Sequence, residues 1–175
     1  MRKAKYSLNQ LAIQLAGRVM LITLLALSAC VSGPRLVAHG FSYNGWSDKW
    51  ATENDLLAYS YGEQYSMVRD QGNPDQSGIG YQSGVNGDMP VGKFLSVRWR
   101  IKSTGEVIED RVDLRSILPN DMFGHRITFV IDGRQLFVYL VTPKTKPIEV
   151  QPPLKTTLSR YYVTYEIYPN NSFKL

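Results

Sequence analysis

Phe94-Leu95-Ser96-Val97-Arg98-Trp99-Arg100-Ile101-Lys102 alternates strictly along its length. Leu95, Val97, Trp99 and Ile101 are apolar; Ser96, Arg98, Arg100 and Lys102 are polar. A period of two is that of a strand with one face buried and one wet. Thr104-Gly105 follows, and Val107–Leu114 answers with the same alternation. A two-residue turn there pairs Ile101 with Ile108, Val97 with Val112 and Leu95 with Leu114. It sets Arg100 beside Glu109 as an opposite-charge pair. It also brings Asp110 opposite Trp99 on the apolar face, a position that asks for a bulge or a rim.

The pattern repeats outward from this hairpin. Arg126–Ile131 and Arg134–Val141 flank Asp132-Gly133, a dipeptide favoured in two-residue hairpin turns. Ile127, Phe129 and Ile131 then share a face with Leu136, Val138 and Leu140. Arg160–Tyr168 alternates again, and Leu36–Tyr43 and Leu56–Tyr61 are further strand candidates. Trp50–Leu57 is the one short helix candidate, with Thr52 as N-cap. Asp70–Pro90 is rich in Gly and Pro and reads as a long, functional loop. Pro143–Pro153, with four prolines, reads as a stiff extended connection. The fold class is all-β: an antiparallel β-sandwich or open barrel built from hairpins, with at most one short helix.

The pI of about 9.3 is misleading. Arg2, Lys3, Lys5 and Arg18 lie within residues 1–29, which hold no acid. Setting these four aside leaves sixteen bases against fifteen acids. Binding nucleic acid demands a basic surplus that displaces counterions, so no nucleic-acid partner is expected.

The N-terminus carries an address. A basic region precedes the apolar run Val19–Leu27, and Leu27-Ser28-Ala29-Cys30 follows. This is the order of a secretory signal, and the run is too short to span a bilayer. Leu27-Ser28-Ala29-Cys30 resembles the lipobox of bacterial lipoproteins. That resemblance implies cleavage after Ala29 and lipidation of Cys30, the only cysteine in the chain. The alternative is a secreted protein with a chance cysteine. Residue 31 is Val and not the aspartate that retains such proteins at the inner membrane. The expected location is therefore the outer membrane, lipid-anchored and facing the periplasm. The expected organisation is a signal peptide over 1–29, a lipidated tether over 30–35 and a single β domain over 36–175.

Residues for catalysis are sparse. His39 and His125 are the only imidazoles, and no Gly-x-Ser-x-Gly elbow occurs. Two distant histidines without a cysteine ligand do not make a zinc site. Asp70, Asp75 and Asp88 do not follow the calcium-loop spacing. Glu106, Glu109 and Asp110 are adjacent and invite an acid/base reading, but surface pairing with Arg98, Arg100 and Arg111 is simpler. No metal, cofactor or enzymatic activity is expected.

Aromatic residues stand out instead in the first half. Tyr and Trp supply large rigid contact area and are enriched at binding hot spots. Trp46, Trp50, Tyr61, Tyr65 and Tyr81, with Asp70 and Asp88 in the loop, are the candidate contacts for a protein partner. The competing reading places such aromatics in the core, as expected for Trp99.

Tyr43-Asn44, Tyr59-Ser60-Tyr61-Gly62, Met89-Pro90-Val91-Gly92, Leu95-Ser96-Val97-Arg98-Trp99 and Val112–Pro119 follow the lipobox in order. In that order and spacing, over roughly residues 40–140, the chain resembles a family of bacterial lipoproteins associated with type VI secretion phospholipase effectors. The resemblance implies an immunity protein that binds a secreted lipase effector in the periplasm and neutralises it. Two other classes remain: a structural or assembly lipoprotein of the envelope or secretion machinery, and an enzyme with a diffuse carboxylate site.

Overall fold

Alternating stretches become strands wherever two of them can bury their apolar faces together. In the structure, a computed structural model that describes residues 33–68, 79–147 and 153–173, nine strands do so. They are β1 (Leu36–Asn44), β2 (Asn54–Tyr61), β3 (Tyr65–Val68), β4 (Gln82–Pro90), β5 (Phe94–Ile101), β6 (Val107–Asp113), β7 (Arg126–Asp132), β8 (Gln135–Thr145) and β9 (Tyr162–Tyr168). A five-stranded sheet has the order β4-β1-β7-β8-β9, and a four-stranded sheet has the order β3-β2-β5-β6. The two pack face to face as a sandwich. The signal segment and Cys30 lie outside the described residues.

Among the described residues, all strand pairs but one are antiparallel. β1 inserts between β4 and β7 and pairs with β7 in parallel, Phe41 opposite Ile127. A hairpin scheme misses this, because a parallel pair needs a long crossover and not a turn.

The core is aromatic. Phe41 stacks on Tyr61 with ring centroids 5.0 Å apart and planes 4° from parallel. Tyr43 and Trp50 pack on Phe129 at 5.0 and 6.1 Å. Trp99 crosses from the four-stranded sheet and donates Nε1–H to the Gly133 carbonyl of the β7–β8 turn at 3.0 Å. His39 is buried with both ring nitrogens engaged, Nδ1 on the Val37 carbonyl and Nε2 on the Tyr61 hydroxyl, each at 2.8 Å. A carbonyl only accepts, so Nδ1 donates to Val37. Burial pushes the Tyr61 hydroxyl up to about 12.

Several expectations are corrected. The first hairpin pairs Leu95 with Val112, Val97 with Asp110 and Trp99 with Ile108, two residues away from the expected register. Lys102 to Gly105 form a four-residue loop in which Gly105 takes φ +72 and returns its N–H to the Ile101 carbonyl. Glu109 therefore lies opposite Arg98. Asp110 sits at the sandwich edge, where its carboxylate accepts the Tyr168 hydroxyl of β9 at 2.9 Å. In the second hairpin the faces are as expected, with Ile131 opposite Leu136 and Phe129 opposite Val138. The loop is Gly133-Arg134 in place of Asp132-Gly133; Gly133 carries φ +55 at the first central position, where a type II′ turn places glycine.

Trp50–Leu57 is not a helix. Residues 50–53 turn, and Asn54 onward pairs with β5. A bulge between Leu56 and Ala58 lets Leu56, Tyr59 and Tyr61 all face the core despite their uneven spacing. The expected loop over Asp70–Pro90 contains β4, because an edge strand needs partners on one side only and tolerates glycine and a terminal proline. Likewise the expected connection Pro143–Pro153 is strand as far as Thr145.

The outer face of β7 and β8 is also buried, at Thr128, Val130, Tyr139 and Val141. The segment leading into the 3-10 turn Thr157–Arg160 covers it. Lys155 lies over the Phe137 ring, and the Thr157 N–H bonds Asp48. This strap ties the end of the chain to the turn after β1.

Candidate functional site

β1 ends at Asn44, whose carboxamide accepts the Ser47 N–H and whose carbonyl accepts the Asp48 N–H. Asn commonly nucleates turns in this way. The turn thrusts Trp46 outward, 59% exposed. It is nonetheless braced: its ring meets Tyr81 edge-on, with centroids 5.0 Å apart. Tyr81 in turn leans on buried Trp50 at 6.2 Å and donates its hydroxyl to Asp55 at 2.9 Å.

Asp55 is the anchor of this corner. The register of β2 against β5 puts it opposite Arg100, whose guanidinium bonds it at 2.8 Å. Lys102 lies 3.7 Å away, donates to the Ala51 carbonyl and sits over the Tyr81 ring. Burial opposes charge on Asp55, but Arg100, the Tyr81 hydroxyl and Lys102 outweigh it and hold the carboxyl below its ordinary value. A depressed carboxyl stabilises the fold above its unfolded value of 3.8 and loses that contribution as the pH falls through the lower folded value. We therefore expect Asp55→Asn to cost about 1–3 kcal/mol at neutral pH and to flatten the acid limb of the stability curve. Urea titrations of both proteins between neutral and strongly acidic pH check this; parallel curves refute it.

A polar cleft of about 350 Å3 adjoins the same turn on the outer face of the larger sheet. Ser42 and Asn44 of β1, Gln82 of β4 and Arg126 of β7 line it, with Asp48 and Thr157 at one wall. Burial raises the Asp48 carboxyl, partly offset by the Thr157 N–H at 2.6 Å. The corner thus combines an aromatic knob, an ion cluster of one carboxylate and two cations, and a polar hollow. Such a surface can grip a partner's loop.

The structure sorts the sequence candidates. Trp46 and Tyr81 come together at the corner, 35 positions apart. Trp50, 3% exposed, and Tyr61, fully buried, are core residues and present no surface to a partner; their apolar rings are worth more against Phe129 and Phe41 than in water. Tyr65 is half-buried on β3, with its hydroxyl 3.3 Å from Ser83. Asp88 is exposed on β4 opposite Ala38, six positions along the strand from the residue that pairs with Asn44. That is about 20 Å from the corner at strand rise. Cys30 and Asp70 lie outside the described residues. Sequence reasoning missed Arg100 and Lys102 as partners of Asp55, and missed the cleft. The period-two pattern of β5 shows that Arg100 points away from the core, but not which strand lies beside it. Glu106 pairs with Arg134 at 3.0 Å, so the expected bonding of the acids to Arg98, Arg100 and Arg111 is redistributed.

No family model, no curated protein and no solved structure matches this chain.

Proposed function

We propose that this chain is a lipoprotein of the outer membrane, anchored through Cys30 and facing the periplasm, that binds and neutralises a toxic effector of the lipase type delivered by type VI secretion. The observation that carries the reading is Trp46: exposed, braced by Tyr81, and at the far end of β1 from the point where the chain enters the domain. Nine strand residues span about 30 Å. A lipid at Cys30 holds one end of the sandwich to the membrane and directs the Trp46 corner into the periplasm. A neutralising protein works by occlusion, so it needs a rigid projecting surface covering about 800 Å2 of its partner. The two packed sheets and the braced, exposed Trp46 support that reading.

Affinity capture tests this. The full-length lipoprotein, tagged at its C-terminus and extracted in detergent from the source cells' envelope, is expected to retain a stoichiometric lipase whose phospholipid hydrolysis it suppresses. Capture of envelope or secretion-machinery proteins alone would overturn the reading in favour of an assembly role.

A further inference from the structure

Two large apolar side chains stand free at the end of the sandwich opposite Trp46. Leu36 is 57% exposed and Phe123 66% exposed. The segments that carry them run side by side: the Gly124 N–H bonds the Ala38 carbonyl and the Gly40 N–H bonds the His125 carbonyl, each at 2.9 Å. These bonds lay the 123–125 loop beside the first residues of β1. The loop is held in place from within: buried Met122 fixes it in the core, and Asp121 accepts the Phe123 N–H at 2.9 Å. That contact turns the carboxylate of Asp121 back on its own loop. Arg35 and Lys144 are exposed nearby, the latter following Pro143, which lies against Gly124, and they outnumber the one exposed carboxylate of β4 at this end, Asp88 opposite Ala38. Exposed Tyr161 borders the same end, where β8 finishes and β9 begins.

What covers this end follows from chain length. Leu36 is six residues from Cys30. Six extended residues reach at most about 20 Å, and Gly33 and Pro34 fall within them. A lipidated Cys30 therefore keeps Leu36 within that distance of the bilayer, and the 123–125 loop lies on the same end of the sandwich. Apolar side chains so confined gain free energy by entering the interface, and cations beside anionic headgroups add about 1 kcal/mol each.

We propose that the Leu36–Phe123 end rests on the lipid surface that carries the anchor, with Phe123 among the headgroups and Arg35 and Lys144 facing anionic lipid. This rests on lipid attachment at Cys30. The sandwich then stands upright on the membrane and does not swing freely on its tether.

The test uses the full-length lipoprotein in vesicles of phosphatidylethanolamine and phosphatidylglycerol. Cys30 is the only cysteine and is blocked when lipidated, so Asn120→Cys accepts a single environment-sensitive fluorophore beside an intact Phe123. Its emission is expected to shift to the blue and to be quenched by spin-labelled lipid. Adding Phe123→Ser is expected to abolish both effects, and a label at Ser103→Cys, in the β5–β6 turn at the opposite end, is expected to stay aqueous. Vesicle-bound protein with an aqueous label at position 120 overturns the resting contact and leaves the anchor standing. A shielded label that spin-labelled lipid does not quench means a second copy covers the site, which also overturns it. Protein that stays off the vesicles with a reactive Cys30 thiol overturns the anchor and this contact together.

Discussion

Trp99→Ala is expected to lower folding stability by about 3–5 kcal/mol, the range for deleting a buried large aromatic. Trp99 is fully buried, and its indole N–H is a direct hydrogen bond between the two sheets. Alanine leaves a cavity between β5 and the β7–β8 hairpin and frees the Gly133 carbonyl. In a domain of this size the loss corresponds to a fall in Tm of roughly 10–15 °C. Trp99→Phe refills most of the volume without the donor, so a smaller loss is expected. Thermal and urea unfolding of the two variants separates packing from the hydrogen bond. Equal stability of Trp99→Ala and the parent would contradict the packing described for the sandwich.

Trp46→Ala is expected to act on binding and to leave the fold almost unchanged. Its edge-on contact with Tyr81 is worth about 0.5–1.5 kcal/mol to folding. A braced, exposed tryptophan at the centre of an interface is a typical hot spot, worth about 2 kcal/mol or more on truncation. That converts to an affinity loss of about 30-fold for the proposed partner. Tyr81→Phe keeps the ring under Trp46 but removes the bond to Asp55, so a smaller loss is expected there. Calorimetric titration of the captured partner with each variant checks both. Unchanged affinity of Trp46→Ala would remove the corner from the interface.

Much of the fold was legible because burial writes itself into alternation. Leu95, Val97 and Trp99 announced β5, and Phe129 opposite Val138 kept its face although the turn moved by one residue. The failures have physical causes. Gly84, Asn86 and Gly87 hid β4, since an edge strand buries little and needs few large side chains. The bulge at Leu57 broke the period of β2. Gly105 allowed a longer loop than the residues before it suggested, and the register slipped by a pair.

The corner was half legible. Composition drew attention to Trp46, Trp50, Tyr61 and Tyr81 together, but aromatic residues serve cores and interfaces alike. Only tertiary packing separates Trp46 on the surface from Trp50 four positions later. The contacts that brace Trp46 join Tyr81 to Asp55 and Asp55 to Arg100 across 26 and 45 positions. No local pattern links residues so far apart.

The most direct measurement is site-specific photo-crosslinking in intact cells. A photoreactive residue replaces Trp46, and in a parallel strain Asp88, which lies along β4 away from the corner. A crosslink from position 46 to a lipase-type effector, absent from position 88, is the expected result. Crosslinks from position 46 only to resident envelope proteins, or a lipase crosslink from position 88 alone, would contradict the proposed role of the Trp46 corner.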